Sequence, residues 1–508
     1  MKNRILITLA MLSLAVLSCR TLFPTPVATP AATVPASKRE ASTPAAIPQP
    51  SATLPADIPV PGADSLNDPY YPQMGNGGYD ALHYTIDLTV DVSNDKISGA
   101  STLDALTTHA LSSFNLDLHG LNVSSVTVND TLATFSRKND ELIITPATAL
   151  SNGEKFAVTV NYSGKPQPVE DASVPGETVG WFANAGVYVV SESTGAMGWY
   201  PVNNHPLDKA TYTFRITVPK QFVVAANGLL KEKVENGATT TYVWETTHPM
   251  ASYLATVEIG KYKLETATGP NGLPLHYYFP PNAGQDIMSS FSHTSEMISY
   301  YSEVFGPYPF ESYGAVVVPL DLGFALEDQT LSIFGQNMVN EITAAHELSH
   351  QWFGDSISLK SWKDIWLNEG FATYAEALWV EHTRGKAAGE KYMNNLYADA
   401  ISKNLPAPAN PSVKNLFAES VYMRGGLVLY ALRLRVGDDV FFKVLHEYYA
   451  RYQYGNASTD DFIAVADRVS GQDLKSFFDD WLFSDKIPPL PKPGQQVFSQ
   501  LPLIWSQE

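Results

Sequence analysis

Two short segments in the second half of the chain contain residue types that together can bind a metal ion. The string HELSH at positions 346–350 places His346 and His350 four residues apart. On a helix, residues four apart lie on the same face, so both imidazoles can reach one ion with Glu347 beside it as a base. A zinc site for hydrolysis uses three protein ligands and keeps one position for water. Glu369, in the next helical pattern of the sequence, is the predicted third ligand.

An ordinary amphipathic helix with two surface histidines is the alternative explanation of the HELSH string. Histidine is scarce, at 11 of 508 residues, so the string seldom arises by chance. The segment NEG at 368–370 completes an HExxH-x18-E pattern and argues further against that alternative. The longer strings HELSHQWFGD and WLNEGFATY resemble the M1 family of zinc aminopeptidases, of the gluzincin type. The chain resembles a short form of that family, one that lacks the C-terminal β and helical domains of many members.

The resemblance implies a multidomain fold with two parts that follow one another along the chain. An all-β N-terminal domain, saddle-like and antiparallel, is expected at residues 69–264, and an α+β thermolysin-like zinc-peptidase domain at residues 265–489. The residue patterns agree, because apolar residues alternate with polar ones in the first range and mostly follow helical spacing in the second. The resemblance also implies one zinc ion per chain and, as substrates, peptides with a free N-terminus.

The string VYMRGG at 421–426 implies a further catalytic residue. In the family, a tyrosine just before a Lys/Arg-Gly pair stabilises the oxyanion that develops on the scissile carbonyl. Tyr422 occupies that position in this sequence. A lone tyrosine among 26 usually belongs to the core, so the assignment of Tyr422 depends on the resemblance.

Two glutamates are expected to bind the ammonium group of the substrate. The exopeptidase motif of the family, G-A-M-E-N, corresponds to FALED at 324–328, which keeps the acid as Glu327. Phe324 stands in place of the glycine of that motif, and Asp328 stands in place of its asparagine. Glu192, in the string SEST ahead of WYP, aligns with a second amine-binding position. A solvated loop acid is the alternative explanation for Glu327.

The composition favours an exported globular enzyme and argues against a partner made of nucleic acid. Hydrophobic residues make up 44% of the chain and aromatic residues 11%, which is enough for a sizeable core. The formal net charge of -19 leaves no excess of basic groups to neutralise phosphates. Because Cys19 is the only cysteine, the chain has no internal disulfide and no thiolate chemistry in its body.

Residues 1–19 are predicted to form a lipoprotein-type signal peptide. Basic residues precede a short apolar run, and VLSC at 16–19 resembles a bacterial lipoprotein cleavage box with Cys19 as the lipidation site. A plain signal peptide with an incidental cysteine is the alternative. Residues 20–68 are rich in Pro, Ala, Thr and Ser, which predicts a disordered linker, and residues 490–508 form a predicted C-terminal tail. These features predict an extracytoplasmic lipoprotein anchored to a bacterial membrane in the cell envelope, or alternatively a secreted protein.

Three functions remain open from the sequence, and two of them share the zinc site. The first is a zinc metallo-aminopeptidase, a hydrolase that removes N-terminal residues from peptides with Glu347 as the general base. The second is another zinc hydrolase, such as an endopeptidase or an epoxide hydrolase related to M1. The third is a non-catalytic binding lipoprotein, against which Glu347 argues because a binding module has no use for a base. A monomer is expected in each case.

Overall fold

The computed structural model describes residues 58–184 and 186–492. The predicted signal peptide and the lipidation site Cys19 lie outside the described residues, as do most of the predicted linker and tail. Within the described ranges, no helix is both long and apolar enough to span a membrane.

The folded body begins earlier than the predicted end of the linker at residue 68. Val60–Pro61 forms a short strand, in which the N–H of Val60 donates to the carbonyl of Ala110 at 3.0 Å. Asp68 is also buried, at 4% exposed, and accepts a hydrogen bond from the N–H of Trp362. These contacts use main-chain groups and one carboxylate and need no regularly spaced apolar residues. The sequence pattern therefore does not reveal that the folded body begins before residue 68.

The first part of the described chain is rich in strands, as the alternating pattern predicts. Its strands are β1 (Val60–Pro61), β2 (Tyr79–Asp91), β3 (Lys96–Thr107), β4 (Leu111–Asp117), β5 (Asn122–Val128), β6 (Thr131–Leu132), β7 (Thr134–Lys138), β8 (Glu141–Thr145), β9 (Lys155–Gly164), β10 (Val169–Glu170), β11 (Thr178–Phe182), β12 (Tyr188–Val190), β13 (Thr211–Pro219), β14 (Val223–Ala226), β15 (Leu229–Asn236), β16 (Thr239–Glu245) and β17 (Val257–Gly260). Eight of them form one sheet in the order β15-β16-β13-β2-β3-β9-β5-β6. Its neighbouring strands are antiparallel except β13 and β2, which run parallel. The prediction of a β-rich N-terminal domain is confirmed.

Alternation along these strands buries one face of the large sheet. In β2, the side chains of Ile86 and Leu88 are fully buried, whereas the intervening Asp87 is exposed. Since successive side chains of a strand point to opposite faces, this pattern fixes which face joins the core. Glu192 lies just after β12, in the connection that leads to the central strand β13. The β domain therefore presents this predicted site residue from a loop attached to its main sheet.

The second part of the described chain combines a small sheet with helices. Its elements are β18 (Lys263–Thr268), β19 (Pro274–Phe279), α1 (Gln285–Ser289), α2 (Thr294–Val304), β20 (Tyr313–Val318), β21 (Ala325–Leu326), β22 (Ser332–Gly335), α3 (Glu341–Ser349), β23 (Ser358–Leu359), α4 (Trp366–Arg384), α5 (Lys386–Ser402), α6 (Glu419–Val436), α7 (Asp438–Tyr452), β24 (Asn456–Ala457), α8 (Thr459–Ser470) and α9 (Lys475–Phe478), followed by a π-helical turn at Asp479–Phe483. Five strands pair in the order β18-β19-β20-β22-β21. This arrangement confirms the predicted α+β class of the second domain.

Three helices carry most of the predicted site residues. Helix α3 begins after Asn340, whose side chain accepts hydrogen bonds from the N–H groups of the second and third helical residues and so caps the helix. It contains His346 and ends at Ser349, so that His350 follows as its C-cap. Glu369 lies in the first turn of α4, and Tyr422 lies in the first turn of α6. The site is therefore assembled from helix ends that the chain brings together over long sequence distances.

Candidate active site

His346, His350 and Glu369 meet in the interior, although they belong to two different helical segments. Their ligand atoms lie within 4.8 Å of one another, and each of the three residues is less than a tenth exposed. Oε2 of Glu369 is 3.4 Å from Nε2 of His346 and 3.5 Å from Nε2 of His350. Donor atoms about 2.1 Å from one tetrahedral zinc ion lie roughly 3.4 Å apart, so the observed spacing fits zinc. Two nitrogens and one carboxylate oxygen also leave a fourth position for water or substrate.

The outer nitrogen of each imidazole is held by an oxygen acceptor. Nδ1 of His346 lies 2.7 Å from Oε1 of Glu376, and Nδ1 of His350 lies 3.1 Å from the carbonyl oxygen of Phe353. Because these oxygens accept hydrogen bonds, each Nδ1 carries a proton, and each Nε2 is the nitrogen that binds a metal ion once its own proton is released. Glu376 in turn accepts a hydrogen bond from the hydroxyl of Tyr392 on α5. The two histidines are thus oriented before any metal binds.

The sequence prediction omits Glu376, although a signal for it exists. Glu376 follows Glu369 on α4 by two helical turns, so both carboxylates project from the same side of that helix. A carboxylate behind a metal-binding histidine fixes the tautomer and orientation of the ring. Following the same helix face beyond the third ligand would have identified Glu376.

Burial and neighbouring charges shift the protonation of the whole ligand cluster. Burial lowers the pKa of His346, but the carboxylates of Glu369 and Glu376 outweigh it and hold that pKa well above its usual value. Burial likewise opposes the charged form of His350, but Glu327 and Glu369 raise its pKa to about 9. Burial raises the pKa of Glu369, but the two histidines outweigh this effect and bring it to about 2. The Glu369 carboxylate is therefore ionised and suited to a cation.

Glu347 is buried beside the predicted ligands. Its carboxylate belongs to a second group with His350 and Glu327, whose nearest polar atoms also lie within 4.8 Å of one another. Burial raises the pKa of Glu347 to about 7, against the lowering effect of His346 and His350. A carboxylate that is close to half protonated near neutral pH can both take up and release a proton.

The ring of Tyr422 stacks against His346, with ring centroids 6.2 Å apart and planes inclined by 22°. Burial, together with the nearby carboxylate of Glu369, raises the pKa of the Tyr422 hydroxyl well above its usual value. The hydroxyl therefore keeps its proton and can donate a hydrogen bond. Arg424, in the same turn of α6, is fully buried and donates to three backbone carbonyl groups. These bonds anchor the end of the helix that carries Tyr422.

One cavity of about 310 Å³ is lined by all the predicted site residues of the described chain, namely Glu192, Glu327, His346, Glu347, His350, Glu369 and Tyr422. Glu327 is only 2% exposed, so it is not a solvated loop acid. One carboxylate oxygen of Glu327 and one of Glu192 lack a hydrogen-bond partner among the described residues. Burial raises the pKa of both carboxyl groups. Buried carboxylates without a cation are costly, so this pair favours a positively charged ligand.

The loop that carries Glu327 is clamped to the helical segment of the histidines. Nε2 of Gln351 donates to the carbonyl of Glu327 at 2.9 Å, and Oε1 of Gln351 accepts from the N–H of Thr330 at 2.8 Å. Asp328, which stands in place of the asparagine of the motif, lies within this loop and is fully buried. Burial raises the pKa of Asp328 well above its usual value, and the nearby acid Glu258 raises it further. The substitution therefore places a carboxyl group in a buried and already acidic environment.

Comparison with known proteins identifies the same two parts of the chain. A model of the Peptidase M1 N-terminal domain matches residues 80–254, and a model of the Peptidase family M1 domain matches residues 289–481. Aminopeptidase N of Streptomyces lividans is 28% identical over 308 residues, which are 54% of this chain and 35% of that protein. Probable aminopeptidase 2 of Sulfurisphaera tokodaii is 25% identical over 401 residues, which are 73% of this chain and 50% of that protein. The chain thus spans about a third to a half of the length of these curated relatives.

Solved structures match over nearly their whole length. An M1 zinc metallopeptidase from Deinococcus radiodurans superposes with a TM-score of 0.80 at 32% identity, covering 85% of this chain and 99% of that one. A mutant of the Deinococcus enzyme, solved with a bound Tyr-Ser-Ala substrate, gives a TM-score of 0.79 at the same identity and covers 84% of this chain and 100% of that one. The buried ligand set and these matches together establish that the chain belongs to peptidase family M1, with zinc as its metal.

Proposed function

We propose that the protein is a zinc aminopeptidase, which removes single residues from the free N-terminus of peptides. The observation that carries this proposal is the buried carboxylate pair Glu192 and Glu327 in the same cavity as the zinc ligands. An endopeptidase would have no use for two desolvated acids beside its metal, because the chain it cuts carries no ammonium group there. The Deinococcus neighbour solved with a Tyr-Ser-Ala substrate supports a peptide as the ligand.

The residues around the metal position are suited to the steps of peptide hydrolysis. When bound by His346, His350 and Glu369, zinc supplies a Lewis acid that polarises the scissile carbonyl and makes the attacking water more acidic. The carboxylate of Glu347 takes the proton from that water and delivers it to the nitrogen of the leaving amine. Tyr422 donates its hydroxyl hydrogen bond to the oxygen of the carbonyl as negative charge develops there.

The acid pair determines which bond is cut. If the ammonium group of the substrate binds between Glu192 and Glu327, the first peptide bond is the one that lies next to the ligand set. Charge-assisted hydrogen bonds of this kind contribute roughly 1.5–3 kcal/mol each when they are made to buried groups. The same acids would be left desolvated and unpaired by a substrate whose amine is blocked. Binding of the amine therefore both positions the substrate and excludes internal peptide bonds.

The test is to compare kcat/KM for a peptide and for its N-acetylated twin. We expect acetylation to lower kcat/KM by about a hundredfold or more, because it removes the cation that the acid pair binds. Glu327→Gln should lower kcat/KM for the free peptide and so reduce the ratio of kcat/KM for the free peptide to that for the acetylated one. Glu232→Gln, which removes the same charge from the exposed strand β15, should leave this ratio unchanged. Comparable rates for both peptides would contradict an aminopeptidase and favour an endopeptidase.

We also propose that the enzyme is held in the cell envelope through lipid on Cys19. This proposal rests on the sequence alone, since Cys19 lies outside the described residues. A single acyl chain gives only marginal membrane binding and two or more give stable anchoring. Mass spectrometry of the mature N-terminus provides the test. An N-terminus beyond Cys19 without lipid would exclude the anchor and support a secreted protein.

A further inference from the structure

A second cavity of about 460 Å³ lies next to the one that contains the metal ligands. Its volume falls within the range of pockets that bind small molecules. Most of its wall is apolar and includes Val179, Phe182, Tyr188, Val190, Leu326 and Phe417. The rings of Phe182 and Tyr188 are stacked, with centroids 5.1 Å apart and planes inclined by 12°. The cavity is therefore built to hold an apolar group, and it offers a flat aromatic surface.

The two cavities share a boundary. Glu192 and Tyr422 line both of them, and so does the segment Phe324–Leu326 just before Glu327. The amine and the side chain of an N-terminal residue are attached to the same Cα atom. When the amine binds at Glu192 and Glu327, the side chain therefore begins at this boundary and can extend into the apolar cavity.

Phe324 occupies the key position on that boundary. It lines both cavities and remains 36% exposed, so part of its ring is accessible to a ligand that enters either cavity. The motif residue at this position is glycine, so this chain adds a ring where the motif has no side chain. Aromatic rings attract one another in offset or edge-to-face geometries with centroids 4.5–7 Å apart. A ring in the substrate can meet Phe324 on one side and the Phe182–Tyr188 stack on another.

We propose that the apolar cavity receives the side chain of the N-terminal substrate residue, and that Phe324 selects aromatic and large aliphatic residues there. This inference rests on the proposed aminopeptidase function and names its substrate class. Acidic N-terminal residues are disfavoured, because the charged residues that line the cavity are the acids Glu177 and Glu192. Small residues are also disfavoured, because they leave apolar surface of the cavity in contact with water.

The experiment measures kcat/KM for peptides X-Ser-Ala in which X is Phe, Leu, Ala or Asp. Differences in apolar volume within a hydrophobic pocket typically change kcat/KM by about 10–200-fold. We expect kcat/KM for the Phe and Leu peptides to exceed that for the Ala peptide by at least about tenfold. The Asp peptide should have a lower kcat/KM than either the Phe or the Leu peptide. Phe324→Ala should lower the Phe-to-Ala ratio by at least about threefold.

A matched control and a filling variant make the result specific. Phe135→Ala removes a ring of similar exposure, 38%, from the strand β7, and should leave the Phe-to-Ala ratio unchanged. Val190→Phe adds volume to the wall of the cavity and should lower kcat/KM for the Phe peptide more than for the Ala peptide. The unfolding temperature of each variant identifies one that fails to fold, and the Phe324 and Val190 variants alter the pocket independently.

The outcomes separate this inference from the function on which it rests. If no peptide with a free amine is cleaved, the aminopeptidase proposal is wrong. If all four peptides are cleaved at similar rates, the enzyme is an aminopeptidase but the apolar cavity does not select its substrates. A Phe-to-Ala ratio that survives both Phe324→Ala and Val190→Phe would also overturn the inference, since both variants change the wall of the cavity.

Discussion

Gly370 of α4 and Gly425 of α6 contact each other backbone to backbone. A Cβ atom placed on Gly425 would lie 2.7 Å from Cα of Gly370, and one placed on Gly370 would lie 2.7 Å from Cα of Gly425. Gly370 directly follows the ligand Glu369, and Gly425 lies one turn after Tyr422. This close approach of two helices therefore sets the distance between the metal position and the tyrosine hydroxyl.

Gly425→Ala is expected to separate the two helices and to lower activity. An ordinary Gly→Ala change inside a helix stabilises it by about 1 kcal/mol, but an added methyl group in a packed core costs roughly 1–3 kcal/mol. We expect a lower Tm and a fall in kcat of about tenfold or more, because small displacements of catalytic groups reduce rate steeply. Gly426→Ala is the control. Its added Cβ would lie 3.1 Å from the Thr373 side chain, which can shift, whereas the Cβ added at position 425 would meet backbone at 2.7 Å. Equal effects of both changes would contradict the argument.

Tyr422→Phe is expected to lower kcat with little change in KM. The variant keeps the ring that stacks on His346 and removes only the hydroxyl that donates to the developing oxyanion. Removal of one such donor typically lowers kcat by about 10²–10³-fold. Steady-state kinetics with a single peptide provides the measurement. A kcat within twofold or threefold of the wild type would make Tyr422 a packing residue.

Metal binding and proton transfer are expected to depend on different residues. His346→Ala removes a ligand, so we expect the variant to lose the one zinc ion per chain and all turnover. Glu347→Gln leaves the three ligands in place, so it should retain zinc while kcat falls by about 10²-fold or more. Metal analysis of the purified proteins and a peptide assay distinguish the two. Stoichiometric zinc in the His346→Ala protein would refute the ligand assignment.

The zinc ligands could be predicted because their pattern is local. His346 lies in the last turn of α3 and His350 caps the same helix, and the position of Glu369 follows from its spacing to them. The strands of the β domain are equally predictable from the sequence, because apolar residues such as Ile86 and Leu88 alternate with polar ones along strands such as β2. By contrast, the stacking of Tyr422 on His346 joins two distant helices, and only the family resemblance indicated it.

Helix α5 leaves little signal in the pattern of apolar residues, and the reason lies in its burial. Gly389, Met393 and Ala400 are the only fully buried residues of this helix, so it has no continuous apolar stripe. Its contribution to the site is a single polar contact, from the hydroxyl of Tyr392 to Glu376. A hydrogen bond between two helices leaves no periodic trace, so neither α5 nor Glu376 emerges from the pattern of apolar residues.

Glu376→Gln is expected to weaken zinc binding. The amide oxygen of glutamine can still accept a hydrogen bond from Nδ1 of His346, but it lacks the negative charge that strengthens this bond. Such supporting groups typically change metal affinity by about 10–100-fold. A zinc titration against a competing chelator measures this change. Glu381→Gln, on the same helix, breaks an ion pair with Arg433 and should affect Tm but not zinc affinity. Unchanged zinc affinity in the Glu376 variant would show that His346 does not need its carboxylate partner.

The last prediction concerns the dependence of stability on pH at Asp328. Its folded-state pKa is raised well above the usual value because the carboxyl group is buried, with the acid Glu258 as a further cause. A group with a raised folded-state pKa binds its proton more tightly in the folded protein than in the unfolded chain. The stability it contributes is therefore present below the unfolded pKa of about 3.9 and is lost progressively as pH rises above it.

Asp328→Asn removes this titration and keeps nearly the same shape. We expect the variant to have a higher Tm than the wild type at neutral pH, with a difference that shrinks as pH falls toward 4. Thermal unfolding of both proteins across this range, at one zinc concentration, measures the difference. Asp130→Asn, in an exposed turn, is the control and should show no such trend. The difference in Tm between the Asp328 variant and the wild type could instead be the same at every pH. That result would mean that Asp328 is ionised in the folded protein with a nearly ordinary pKa, because contacts of its carboxylate offset its burial.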